Sequence, residues 1–310
     1  MCKKSVGRKV TICRSEVSRF FRLRPPGESW CFAAGWSCGI RNPFPALLQD
    51  RPSSRNLPYA VSMTNAQPPR RIVSLQPSVT VILDRLNSLD LLVACTRYCQ
   101  AVCKGVNDGS RLIVKDSWTS QSAEILAAHP DLVITSVPYQ AASLAEILKT
   151  GTPVLALAPH ALADIYRDIA MIAGVIGRFE CAEAVIGAMQ TKIEQIRRTA
   201  SQAATRPKVF CEEWGKPIIR SQAWVAELVE AAGGEFVGPP GMQTTAEEVL
   251  REAPDVLVAA WCGAGDRVPL EKTIRQRGWQ DLPASKSGRV FCISDELLNT
   301  PAPIQMRLTG

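Results

Sequence analysis

No run of 18 or more uninterrupted apolar residues occurs in this chain, so no simple membrane-spanning helix is predicted. Histidine is scarce, with two in 310 residues. That scarcity, and the absence of any CxxC pair among eleven cysteines, argue against a zinc finger. HExxH and GxSxG are missing, and no glycine-rich loop is shaped to cradle phosphate. The cysteine count is odd and the chain is not small, which excludes a disulfide framework. Several cysteines close apolar runs (LLVAC, KVFC, RVFC) and read as buried thiols acting as small apolar residues.

What is present is a globular composition, 46% apolar and 21% charged, long enough for two domains. The net charge of +7 is unevenly placed. Residues 1–62 hold 11 of the 36 Lys and Arg against 3 of the 29 Asp and Glu; the remainder holds 25 against 26. The body therefore has no electrostatic footprint for nucleic acid. The basic segment has no sustained period and is broken by PP, NPFP and DRPSS. It makes a poor secretory leader, because its most apolar part, Cys31–Ile40, is interrupted by glycines and far from the start. Residues 1–69 are expected to be a disordered or non-native extension, with Met63 an alternative start.

From Arg71 the texture changes. RIVSL, LLVAC, DLVITS and VLALAP are short apolar runs separated by helical spacing, the signature of βα units around a parallel sheet. Residues 161–202 show no strand. Ile165, Ile169, Ile172 and Ile176, then Ile186, Met189, Ile193 and Ile196, repeat at helical intervals. This predicts one long helix, or two nearly collinear, with a weak point near Gly174–Gly177. The βα texture returns at KVFCEEW. Moreover, AEILAAHPDLVITS and AEEVLREAPDVLVAAW share one plan: helix, Pro-Asp, apolar strand. The second carries TxxE capping features at Thr244–Glu247. The expected fold is α/β, with two Rossmann-like lobes of mainly parallel sheets (70–160 and 206–310) joined by one long α-helix (161–205).

RIVSLQPSVTVIL, the Trp118 to Ile134 block, VFCEEWGKPII, WVAELVEAAGG and EEVLREAPDVLVAAW together resemble the substrate-binding proteins of ABC importers for cobalamin and ferric siderophores. The resemblance covers about residues 70–295. It implies two α/β lobes on a helical connector with modest hinge closure, and a ligand held between them. It implies no enzymatic activity and no cofactor, with cobalamin or a ferric siderophore as cargo. The implied partners are an ABC permease and its ATPase, for a monomer that meets the membrane only through the permease. Periplasmic or cell-envelope residence is implied; the lack of a clear leader leaves a cytoplasmic corrinoid or metal carrier open. Relatives usually end with a further helix, and the 206–310 lobe is expected to lack it.

In open α/β sheets ligands bind beyond the carboxyl ends of the strands. Those ends carry Ser78, Thr96, Tyr98, Cys99, Tyr139, Glu212–Trp214 and Trp261–Cys262, with Trp118 just ahead of a helix. Tyr98, Trp118, Trp214 and Trp261 are the expected aromatic walls; Trp224 reads as core. Glu213 and Ser78 are the polar ligand contacts. Arg97 and Arg220 are the cleft arginines. On a strand, Glu212 and Glu213 point to opposite sides, which suits a ligand wall better than an acid/base pair. A metal-dependent hydrolase using either one is the rival reading. Cys99 and Cys262, from opposite lobes, are candidate soft-metal ligands. His129 and His160 read as structural. From the resemblance, Glu124 and Glu247 dock the permease.

Overall fold

The computed structural model of the chain describes residues 67–137 and 140–303. The expectations for residues 1–66, for Tyr139 and for the extreme carboxyl end lie outside the described residues.

β1 (Ile72–Ser74) is buried throughout, as a central parallel strand must be. Around it lie β2 (Leu92–Thr96), β3 (Leu112–Val114), β4 (Leu132–Ser136) and β5 (Val154–Leu157), in the order β3-β2-β1-β4-β5 and all parallel. The helices α1 (Pro77–Arg85), α2 (Arg97–Val102), α3 (Ser122–Leu126) and α4 (Ala141–Leu148) connect them. Proline opens α1, where its missing N–H costs nothing. The strand order reverses between β1 and β4, so a crevice opens beyond Ser74 and Ser136.

The second sheet is built on β6 (Lys208–Gly215), which is eight residues long. Its order is β11-β10-β6-β7-β9, with β7 (Ile218–Arg220), β9 (Gln243–Thr244), β10 (Val256–Ala259) and β11 (Val290–Cys292). A two-residue strand, β8 (Glu235–Phe236), pairs with the start of β6. The β10 and β11 strands run parallel to β6, whereas β7 returns antiparallel. The helices are α7 (Ala223–Ala231), α8 (Ala246–Glu252), α9 (Leu270–Gln276), α10 (Pro283–Lys286) and α11 (Asp295–Leu298). The box that opens α8 is Thr245 with Glu248, one residue later than the sequence suggested: Thr245 Oγ1 accepts from Glu248 N at 3.2 Å, and Glu248 accepts from Thr245 N.

The connector departs from the expected single rod. It is two helices, α5 (Leu162–Ile176) and α6 (Phe179–Ala200), parted at Gly177, which holds the left-handed conformation that glycine tolerates best (φ 72°). Nor are they collinear. The start of α5 is tied to the second lobe, since the His160 carbonyl accepts from Trp224 N and Leu162 N donates to Glu227. Its far end reaches the first lobe, where Arg178 Nε donates to Ser88 Oγ at 3.3 Å. The end of α6 is back in the second lobe, against Gly233. Lengths agree: at 1.5 Å per residue, α6 spans about 33 Å, close to the combined span of α5 (about 22 Å) and α7 (about 13 Å). The connector is thus a helical hairpin laid across both lobes. Its apolar rows bury Ile165, Ile169, Ile172, Met189 and Ile193 in one core that continues from Ile82 and Ile134 to Cys211 and Trp224. Two smaller cores cover the outer faces, around Val73, Ile125 and Ile147, and around Phe210, Val249 and Trp279.

Candidate ligand-binding site

The hydrogen bond from Trp224 N to the His160 carbonyl lies three residues past the end of β5. It brings the carboxyl edge of the first sheet to the start of α7, so both carboxyl edges border one junction.

On the first edge, the loop after β3 presents Trp118. Asp116 accepts from the backbone N–H groups of Trp118 and Thr119 (both 3.1 Å), and Ser143 Oγ donates to the Trp118 carbonyl at 2.5 Å. The backbone is pinned while the indole is left 47% exposed. Tyr98 stands in the first turn of α2, half-buried. Arg97 donates to its hydroxyl at 2.7 Å and lies 4.7 Å from its ring centre. Ser78 is nearly fully buried at the start of α1 and offers little surface to a ligand here.

On the second edge, Trp214 and Trp261 border a cavity of about 550 Å³ together with Gly215, Lys216, Cys262 and Arg277. The indole of Trp214 is 45% exposed, and its N–H donates to the Lys216 carbonyl at 3.0 Å. Trp224 is core, as its sequence context suggested: it is 4% exposed, with its N–H directed to the Leu298 carbonyl.

The adjacent glutamates do part to opposite sides. Glu212 shares the Phe210 face, is 1% exposed, and meets Arg277 in a two-pronged pair (2.7 and 2.8 Å). Burial raises its carboxyl and Arg277 opposes the rise. Glu213 turns toward α7 and accepts from Gln222 Nε2 at 2.6 Å. Burial pushes its carboxyl up to about 7, with Gln222 pulling the other way. Of the two, Glu213 is the polar group available at the junction; Glu212 is engaged inside its own lobe.

Two expectations need correction. Arg220 is no cleft arginine: it is 3% exposed, stacked on Phe210 and bonded to Glu252 at 2.7 Å. Cys99 is wholly buried, with Thr96 Oγ1 3.2 Å from its sulfur, whereas Cys262 is exposed. Burial keeps Cys99 from joining Cys262 around a metal, and no group of three or more metal-ligating side chains is found among the described residues. Glu124 is half-exposed rather than free; it pairs with Lys115 Nζ at 3.1 Å and accepts from Lys115 N. Glu247 is exposed in the first turn of α8. Both histidines are structural in placement: His129 sits at φ 47° where α3 ends, and His160 N donates to Asp164. Arg277 was missed. Its signal was indirect, because a glutamate sharing a buried strand face with Phe210 requires a cationic partner.

The sequence profile of the family described as periplasmic binding protein matches residues 72–297. No curated protein matches the chain. Among solved structures, the periplasmic heme-binding protein RhuT from Roseiflexus sp. RS-1 is 22% identical, covering 76% of this chain and 92% of its own, with a TM-score of 0.67. The periplasmic vitamin B12 binding protein BtuF of Vibrio cholerae is also 22% identical, covering 77% and 92%, with a TM-score of 0.60. A periplasmic heme-binding protein from Pseudomonas aeruginosa is 18% identical, covering 74% and 86%, with a TM-score of 0.64. At these identities the structural likeness carries the fold alone, but the profile spans most of the chain. This chain, a two-lobed α/β protein on a helical connector, belongs to the periplasmic binding protein family.

Proposed function

We propose that this chain is the substrate-binding component of an ABC-type importer, and that its cargo is cobalamin or a related corrinoid. The observation that carries the reading is the set of large aromatic rings at the two carboxyl edges: Tyr98 and Trp118 on one, Trp214 and Trp261 on the other, with two indoles nearly half exposed. A corrin is a wide, largely apolar plate, and rigid aromatic faces bury such a plate at small entropic cost. Glu213 supplies a polar contact at the junction. The match to a vitamin B12 binding protein supports this reading at the level of fold. A permease and its ATPase are the partners of that role, Glu124 and Glu247 are the docking carboxylates, and the working location is the periplasm or cell envelope. No helix among the described residues is long and apolar enough to cross a membrane.

One observation favours a second cargo, heme. Arg97 donates to the Tyr98 hydroxyl and holds the phenol in place, and a phenol oxygen is the hard type of donor that suits ferric iron. Heme-binding proteins are among the structural matches.

The test is titration of the full chain with cyanocobalamin and with hemin, following tryptophan fluorescence and the absorption band of the macrocycle. Saturable quenching by cyanocobalamin is expected, weakened by more than about tenfold in Trp214→Ala with the unfolding temperature unchanged. A response to hemin only, lost in Tyr98→Phe, selects the second cargo. Silence toward both from a folded sample overturns the macrocycle reading.

A further inference from the structure

The pocket of the second lobe is backed by a continuous column of side chains. It begins in the core at Trp279, which is 2% exposed, donates from its indole to the Ala246 carbonyl at 3.1 Å, and stands edge-on to Phe210 at 5.9 Å. The Arg277 guanidinium lies 4.7 Å from the Trp279 ring and 5.7 Å from the Trp261 ring. Glu212 fixes its plane with two hydrogen bonds, and a third runs from Arg277 Nη2 to the Gly215 carbonyl at 2.7 Å. On the pocket side, Trp261 lies so close to Gly215 that a Cβ there would fall 2.6 Å from the ring.

Burial of an ion pair is a weak way to stabilise a fold, because both groups give up hydration. What a two-pronged arginine pair supplies is geometry: it sets the plane of the guanidinium. A guanidinium set in this way orients the ring it faces. The same lobe offers a comparison. Arg220–Glu252 is also a short pair with a buried arginine, but its arginine faces Phe210 in the core and neither residue borders the pocket.

We infer that Glu212 and Arg277 are positioning residues that hold Trp261 as a fixed wall of the second-lobe pocket before any ligand arrives. The inference rests on the reading of this pocket as the ligand site. A prepared wall spares the ligand the cost of ordering it. It also gives the adjacent glutamates different work: Glu212 holds Arg277 against a ring and itself interacts with the Trp261 indole, while Glu213 faces the junction.

The test uses the full chain labelled with 5-fluorotryptophan, the Trp261 resonance being assigned from its loss in Trp261→Phe. Without ligand, wild type is expected to give one narrow Trp261 line, and Glu212→Gln and Arg277→Lys a broadened or split one. Gly215→Ala, which pushes the ring from the other side, is expected to move the line with the ion pair intact. Glu252→Gln serves as the control and is expected to leave the line in place while still lowering the unfolding temperature. Affinity for cyanocobalamin or hemin, whichever binds wild type, is expected to fall about tenfold in Glu212→Gln and Arg277→Lys and less than about twofold in Glu252→Gln. An unchanged Trp261 line in folded Arg277→Lys overturns the inference, as does an unchanged affinity. If neither probe binds wild type, the proposed cargo is what fails, and the fluorine spectra still decide the positioning role.

Discussion

Asp168 is a residue whose environment conflicts with its charge. It is 4% exposed, on the face of α5 that also buries Ile165, Ile169 and Ile172, and its carboxyl group makes no hydrogen bond or ion pair among the described residues. Burial pushes its carboxyl from 3.8 up to about 6; Arg167 lowers it and Asp164 raises it. The native value lies above the unfolded one, so the folded state holds this proton more tightly. The stabilisation is complete below about pH 4 and is lost as pH rises through about 6. Above that, the connector carries a carboxylate in apolar surroundings. Asp168→Asn is therefore expected to raise the unfolding temperature at pH 8 by a few degrees, and to give no gain at pH 4. Calorimetry at the two pH values checks this; an equal shift at both would mean that packing, not ionisation, separates the two proteins.

Among elements, the repeated phrase of the sequence has a physical basis. In α3–β4 and in α8–β10, the residue before the Pro-Asp pair (His129, Ala253) takes a left-handed conformation, at φ 47° and 48°. The aspartate then clasps the start of the neighbouring strand. Asp131 accepts from Arg70 N and Arg71 N at 2.7 and 2.9 Å, and Asp255 accepts from Lys208 N at 2.9 Å. Each returns its own N–H to that strand, at the Arg71 and Lys208 carbonyls. Asp131→Ala and Asp255→Ala are each expected to lower stability by about 1–2 kcal/mol, the worth of a charge-assisted bond to backbone at a partly exposed site. Urea unfolding measures this, and a loss within error for both would reduce the clasp to a coincidence of sequence. These units were legible because an amphipathic turn, a breaker and an apolar run stand in order. The strands β3, β7, β8 and β9 were not, being two or three residues long with no period to read. The break near Gly177 was legible, but the folding back of the two helices there was hidden. The row of isoleucines continues on either side of it, and a buried face looks the same in a straight helix and in a hairpin. At the site, the aromatic residues and the parting of the glutamates could be read from strand ends and alternation. Arg277 could not, since RQRG after a short helix has the look of surface, and only the fold brings it to a glutamate 65 positions away.

At the scale of the whole molecule, the first turn of α3 places Glu124 near the carboxyl edge of its lobe, and the first turn of α8 places Glu247 there beside the capping Glu248. A pair with Lys115 as exposed as this contributes little, so Glu124 is released to another cation at small cost. In the proposed importer role, the double variant Glu124→Arg, Glu247→Arg is expected to keep the ligand affinity of wild type and to lose stimulation of uptake when assayed with a permease that the wild-type chain stimulates. Undiminished uptake would remove both residues from the docking surface.

The hairpin of α5 and α6 has a last consequence, for signalling. The chain passes from one lobe to the other after β5, back along α5, and across again along α6. Three passages, welded by a common core, leave little room for the lobes to swing. A loaded and an empty molecule would then hold nearly the same posture, and a permease could not tell them apart from the spacing of two distant handles. It would have to sense the cargo at the mouth of the cleft, so that the freight itself, and not the gait of its carrier, announces arrival.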